Sequence, residues 1–279
     1  MRLGIFSKTF ERPTLEGNLD AVKATGLSVI QFNLSCAGLP SLPHEIDLET
    51  AVYIREECEK RHLHIAAVSG TFNMIHPDRQ RLLDDIRQFR HLAAMCHSMG
   101  TSVITLCTGT RDKDNMWRAH PDNNSPEAWD NLLTTMRELV NIAVEYELEL
   151  AVEPEPANVI SDAVTARRLL DTMDSPRLKI VLDAANLFHP NEGMPLTEVI
   201  EQAMSLLSEH VIIAHAKDYS TVEGLQYRAA GTGELDYEAY MKLLHASHFS
   251  GPLILHGLHE REVPQSISYL KSQIEAAKL

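Results

Sequence analysis

Ile180-Val181-Leu182-Asp183-Ala184-Ala185-Asn186 is a short apolar run that stops on a carboxylate. Leu178 to Leu182 shows no strict alternation of apolar and polar residues. A β-branched run of this kind is the pattern of a strand covered on both faces, as in a parallel sheet. Working outward in both directions, the same kind of run recurs. The candidates are 2–6, 28–33, 63–68, 102–107, 148–153, 178–183, 211–216 and 252–256. Longer segments with helical spacing lie between them, at 15–26, 47–62, 79–99, 126–147, 162–173, 195–208, 236–246 and 264–277. In 79–99 the stripe is Leu82, Ile86, Phe89, Ala93 and Cys96, closed by Gly100 as a C-cap. In 126–147, Ser125-Pro126-Glu127 supplies an N-cap, a proline at the first helical position and an acidic first turn. Trp129, Leu132, Leu133, Met136, Leu139, Val140 and Ala143 then share one face.

Each interval between runs leaves room for a helical crossover. The chain of 279 residues could divide into two domains or close as one barrel. Eight repeated strand–helix units, with no glycine-rich phosphate fingerprint after the first strand, predict a single (β/α)8 TIM barrel over 1–279, of class α/β. The net charge of −14 argues against nucleic acid and anionic membranes as partners. No apolar stretch is long enough for a membrane helix, and the opening Leu3-Gly4-Ile5-Phe6 reads as a first strand, not a leader. Cys36, Cys58, Cys96 and Cys107 form no CxxC pair, which predicts reduced structural thiols and a cytoplasmic protein.

In such barrels the site lies at the C-terminal strand ends. Four late runs end in chemical side chains: Glu153-Pro154-Glu155, Asp183, His215-Ala216-Lys217-Asp218 and His256-Gly257-Leu258-His259-Glu260. A buried carboxylate or imidazole is costly unless paired or metal-bound. One such group would be an ordinary hydrogen-bonded residue. Four on adjacent strands converge, which points to a divalent-metal site; the bland alternative is a polar lid of unrelated hydrogen bonds.

Ala151-Val152-Glu153-Pro154-Glu155-Pro156, Val181-Leu182-Asp183-Ala184-Ala185-Asn186, His215-Ala216-Lys217-Asp218 and the loop Gly231-Thr232-Gly233-Glu234-Leu235-Asp236 together resemble the xylose isomerase-like TIM barrel superfamily, home of sugar phosphate isomerase/epimerase-type proteins. The resemblance implies metal ligands Glu153, Asp183 and His215. Where the family places a fourth ligand, a glutamate ending the eighth strand, this chain has His256. Either His256 ligates, giving a shell that favours Mn, Co, Zn or Fe over Mg, or it binds substrate and Glu260 or water completes the shell. The first is the expectation.

The implied chemistry is a metal-dependent isomerase or epimerase of a sugar or small hydroxy-keto acid, working by proton abstraction beside a carbonyl through a metal-stabilised enediolate. The catalytic candidates are Glu153, Glu155, His256 and Lys217, with His259 as a further proton group. Lys217 shares the two-residue period of His215, so it faces the same interior. Candidate substrate contacts are Asn73, His76, Arg111, Trp117, Asn186, His189 and Arg228. A phosphorylated substrate is less favoured, for lack of a P-loop or dense basic cluster, but the glycine loop after the seventh strand keeps it open, since barrels often bind phosphate there. The replacement at His256 puts a two-glutamate epimerase mechanism in doubt. A dehydratase (lyase) acting on a keto-polyol such as an inosose shares the first step, and a non-catalytic sugar- or metal-binding barrel is the third reading. The endonuclease branch of the superfamily is set aside, because Asn186 stands where it would place a histidine. The expected partner is a small-molecule carbohydrate, with a homo-oligomer as the family's usual assembly.

Overall fold

The computed structural model describes residues 1–188 and 193–277. Eight parallel strands close into a barrel: β1 (Arg2–Phe6), β2 (Val29–Phe32), β3 (His64–Ser69), β4 (Val103–Leu106), β5 (Glu149–Val152), β6 (Leu178–Asp183), β7 (Val211–Ala216) and β10 (Pro252–Leu255). They follow one another around the ring in chain order, and β10 pairs with β1 to seal it. The outer helices are α1 (Leu15–Ala24), α2 (Leu48–Lys60), α3 (Arg79–Met95), α4 (Pro126–Glu145), α5 (Ala163–Met173), α6 (Leu196–Leu207), α7 (Tyr237–Ala246) and α8 (Val263–Ala276). This is the (β/α)8 TIM barrel expected from the sequence.

Local signals set the helix boundaries. Ser125 Oγ accepts from Ala128 N–H to cap α4, and Asp162 with Thr165 forms a capping box on α5. The α3 stripe outruns its helix. The α-helix ends at Met95, and Cys96 to Met99 carry the stripe through a turn before Gly100, at φ +87°. A two-stranded hairpin, β8 (Asp218–Ser220) and β9 (Gln226–Arg228), lies between β7 and α7. Its strands of three residues are too short to leave a periodic signature.

The interior is layered by the two-residue period of the strands. Val29, Ala67, Ala151, Val181, Ile213 and Ile254 form an apolar floor, with Phe6 and Val103 packed against it. One step further along the strands, the inward positions become Gln31, Thr105, Glu153, Asp183, His215 and His256. The floor therefore supports a polar layer at the C-terminal mouth. Gly4 keeps β1 close to that floor. A Cβ there would stand 2.7 Å from both Ile254 Cδ1 and the Val29 carbonyl oxygen. Gly4→Ala should destabilise the barrel by about 1–3 kcal/mol through overpacking, read as a lower midpoint in thermal unfolding. An unchanged midpoint would show that the floor yields without cost.

Candidate metal centre

Four side chains from neighbouring strands meet above the floor. One ligand atom from each of Glu153, Asp183, His215 and His256 lies within 4.8 Å of all the others. The ladder places them: Asp183 is in register with His215, and β10 follows β7 with Ile254 opposite His215. The Glu153 N–H donates to the Leu106 carbonyl (2.8 Å), extending β5 by a residue. Tyr240 on α7 donates its hydroxyl toward the carbonyls of Leu182 and His215, bracing both strand ends from outside.

Asp183 divides its carboxylate between two tasks. Oδ1 accepts from the backbone N–H groups of Ala185 and Asn186, which shape the turn after β6. Oδ2 faces the cluster, with Lys217 Nζ at 3.0 Å and His215 Nδ1 at 3.4 Å. Those approaches lack hydrogen-bond geometry, so buried Asp183 Oδ2 and His215 Nδ1 have no hydrogen-bond partner. Such atoms are expensive in a dry interior. An ion between them would satisfy both, so the donor set of two carboxylates and two imidazoles fits a divalent transition metal.

The electrostatics agree with that use. Burial opposes the charged form of Asp183, but Lys217 and His215 outweigh it and hold its carboxyl well below the usual range. Glu153 is lowered in the same way, with His215 overcoming burial. Burial also opposes a charged His215, yet Glu153 and Asp183 pull it up to about 9. Burial and the neighbouring positive charges of His215 and Lys217 push His256 down to about 4. One imidazole is therefore neutral at pH 7, and the other is protonated beside the two carboxylates.

Lys217 belongs to the same chamber. Its Nζ donates to Asn186 Oδ1 (2.5 Å) and stacks over the Tyr227 ring at 3.9 Å. Asn186 in turn donates to Glu153 Oε1 (2.9 Å), so it links the two strand ends. Burial and the charge of Glu153 raise the half-buried Glu155 to about 7, with Lys217 pulling the other way.

Other sequence candidates lie elsewhere. Glu260 is exposed and forms a two-pronged bond with Arg12, so it is not among the clustered ligands. His259 is exposed and caps the turn at Glu262. Arg111 pairs with Glu127 on α4, and Arg228 donates to Gln226 on its own strand. Asn73 spends its amide on the 110–112 loop backbone, and His76 bridges Asp78 N–H and the Lys113 carbonyl. Those two line an outer cleft with Trp117, which is 54% exposed. His189 lies outside the described residues.

Three roles around the chamber were not read from the sequence. Phe6 packs on His256, with ring centroids 5.4 Å apart. Tyr227 arrives on the unforeseen hairpin. Asp218 accepts from the N–H groups of Tyr219, Gly231, Gly233 and Leu235, tying that hairpin to the glycine loop. A fourth, Gln31, could have been found as the lone polar side chain in the buried run 29–32.

No curated protein sequence matches the chain. Solved structures resemble it over nearly its whole length. The apo 3-keto-D-glucoside 4-epimerase YcjR from E. coli has a TM-score of 0.73 at 16% identity, covering 98% of this chain and 99% of that one. D-psicose 3-epimerase from Clostridium cellulolyticum H10, solved with D-tagatose, scores 0.75 at 13% identity, covering 98% and 99%. The IolI protein with a bound zinc atom scores 0.72 at 18% identity, covering 99% and 98%. At these identities the likeness speaks for the fold. The family profile reaches further, matching residues 19–273, and the chain belongs to the xylose isomerase-like TIM barrel family.

Proposed function

We propose that the protein is a divalent-metal-dependent isomerase or epimerase acting on a sugar or a small hydroxy-keto acid. The observation that carries this reading is the clustered quartet Glu153, Asp183, His215 and His256, with two of its buried atoms lacking hydrogen-bond partners. Sugar epimerases with the same fold, and the zinc-bound relative, support it. When bound, the ion supplies a Lewis acid for the substrate carbonyl and for the negative charge that develops on its oxygen. Mn, Co, Zn or Fe suits the two-imidazole donor set better than Mg.

The surrounding residues divide the remaining work. Glu155 is the proposed base, because a carboxyl near 7 holds a proton well enough to take one from carbon and is still half ionised at neutral pH. Glu153, held low and bonded to Asn186, is better suited to ligation and to orienting substrate hydroxyls. Lys217 stays protonated, because Asp183 and Glu153 overcome its burial, so its ammonium can balance charge on a substrate oxygen. His256 stays neutral and offers a lone pair rather than a proton. A single poised carboxyl suits proton movement along one face, as aldose–ketose isomerisation requires. Epimerisation would need a second proton group on the opposite face.

The deciding experiment incubates the protein with ketoses, aldoses and inososes in deuterated solvent, with Mn, Co, Zn or Mg. Exchange at the carbon beside the carbonyl is expected with at least one substrate, and product analysis separates isomer from dehydrated product. No exchange with any combination would sink the proposal. Glu155→Gln should retain metal and slow exchange roughly 10²–10⁴-fold, the usual worth of a general base. Exchange at the parental rate would remove Glu155 from that role. Glu153→Gln should lose metal and exchange together.

Metal uptake has its own signature. In the ion-free protein His215 titrates at about 9, so at pH 7 an incoming ion must displace its proton. Calorimetric titration in buffers of different ionisation enthalpy should report about one proton released per ion. Affinity should fall roughly tenfold per unit as pH drops from 8 to 6, because the proton competes for the same site. Buffer-independent heats would show that the imidazole is already neutral.

A further inference from the structure

We propose that Gln31 is a positioning residue that selects Nδ1 as the metal-binding atom of His215. The proposal rests on the metal-dependent reading above and concerns a residue outside the ligand set. Gln31 lies on β2, across the barrel from β7, and is separated from His215 by 184 residues of sequence. Its inward position is one step above Val29 of the apolar floor. A primary amide there, 3% exposed, would be costly without partners.

The partners define its task. Gln31 Oε1 lies 2.9 Å from His215 Nε2. Gln31 Nε2 donates to Thr105 Oγ1 on β4 (3.3 Å). On the far side of the imidazole, Nδ1 faces Glu153 Oε1 at 3.3 Å and Asp183 Oδ2 at 3.4 Å. A carbonyl oxygen only accepts, so the ring nitrogen facing it must carry a hydrogen. A neutral imidazole has one hydrogen. Keeping it on Nε2 leaves the lone pair on Nδ1, aimed between the two carboxylates.

Gln31 matters in the neutral ring, the form that can ligate. Its one hydrogen could reside on either nitrogen, and only one choice leaves Nδ1 facing the carboxylates with a lone pair. The Gln31 oxygen favours that choice, while Thr105 engages the amide nitrogen. Thr105 is also 3% exposed, so solvent is not available to take over either bond.

The test uses full-length parent, Gln31→Leu and Gln31→Glu proteins. Zinc affinity is measured by competition with a chromophoric chelator. Histidine nitrogen shifts in ¹⁵N-labelled, zinc-loaded protein identify the protonated ring atom. Gln31→Leu should weaken zinc binding roughly 10–100-fold, the usual effect of removing a partner that orients a ligand. Gln31→Glu keeps an acceptor and should recover most of that loss. The parent spectrum should show His215 protonated at Nε2 and ligated through Nδ1. If Gln31→Leu fails to fold, Thr105→Val frees the amide without deleting it and should weaken binding in the same direction. Equal zinc affinity in parent and Gln31→Leu, or a hydrogen on Nδ1 in the loaded parent, would overturn the role of Gln31 and leave the metal centre standing. A parent that takes up no zinc, cobalt or manganese would overturn both.

Discussion

Two carboxylates, Glu153 and Asp183, are held together, buried, in the mouth of a barrel, and like charges so placed repel strongly unless positive charge lies between them. Much of the surrounding architecture answers that constraint. His215 stands within 3.4 Å of both, and Lys217 approaches Asp183 from the loop after β7. Asn186 ties the lysine to Glu153. The same constraint makes the group receptive to a cation, because the charge that a divalent ion brings is the charge that the carboxylates lack. Fold and chemistry meet here through strand geometry. The two-residue period that fills the floor with Val181 and Ile213 turns Asp183 and His215 inward at the next step.

Much of this was legible in the sequence. The eight barrel strands announced themselves because burial on both faces removes polar interruptions, and the helices because one stripe must face the sheet. Asp183 and His215 stood out as charged or imidazole side chains ending apolar runs. What stayed hidden depends on contacts distant in sequence. Whether Asn73 meets a substrate or its own neighbourhood turns on the 110–112 backbone, which no local pattern reveals. Glu260 stood as the alternative to His256, four residues beyond the strand end, and it pairs with Arg12 instead. Gln31 was visible as a polar break in a strand, yet its purpose depends on which strand the closed ring sets opposite. The β8–β9 hairpin was missed because three-residue strands hold no periodicity, and Tyr227 was missed with it.

Asp218 shows how an irregular segment can be made dependable. Its buried carboxylate collects four backbone N–H groups from the hairpin and the glycine loop. Hydrogen bonds from neutral donors to a charged acceptor are among the stronger ones, so the loop is pinned at its base. The exposed tip, with Val222 86% exposed, is free of that duty. Tyr227, itself 41% exposed, thus reaches Lys217 from a fixed anchor, with residues 221–225 of the tip facing solvent.

The bond between His215 and Gln31 crosses the barrel from β7 to β2, and that gives topology a thermodynamic role. Glu153, Asp183, His215 and His256 all lie on the contiguous half of the ring running from β5 to β10, which an open sheet could gather. Gln31 can join them only after the first and last strands have met. An occupant that binds most tightly to the complete arrangement therefore draws its affinity partly from ring closure, and by linkage returns it as stability of the closed barrel. The seam between β1 and β10, which runs out beside His256, becomes part of what the centre senses.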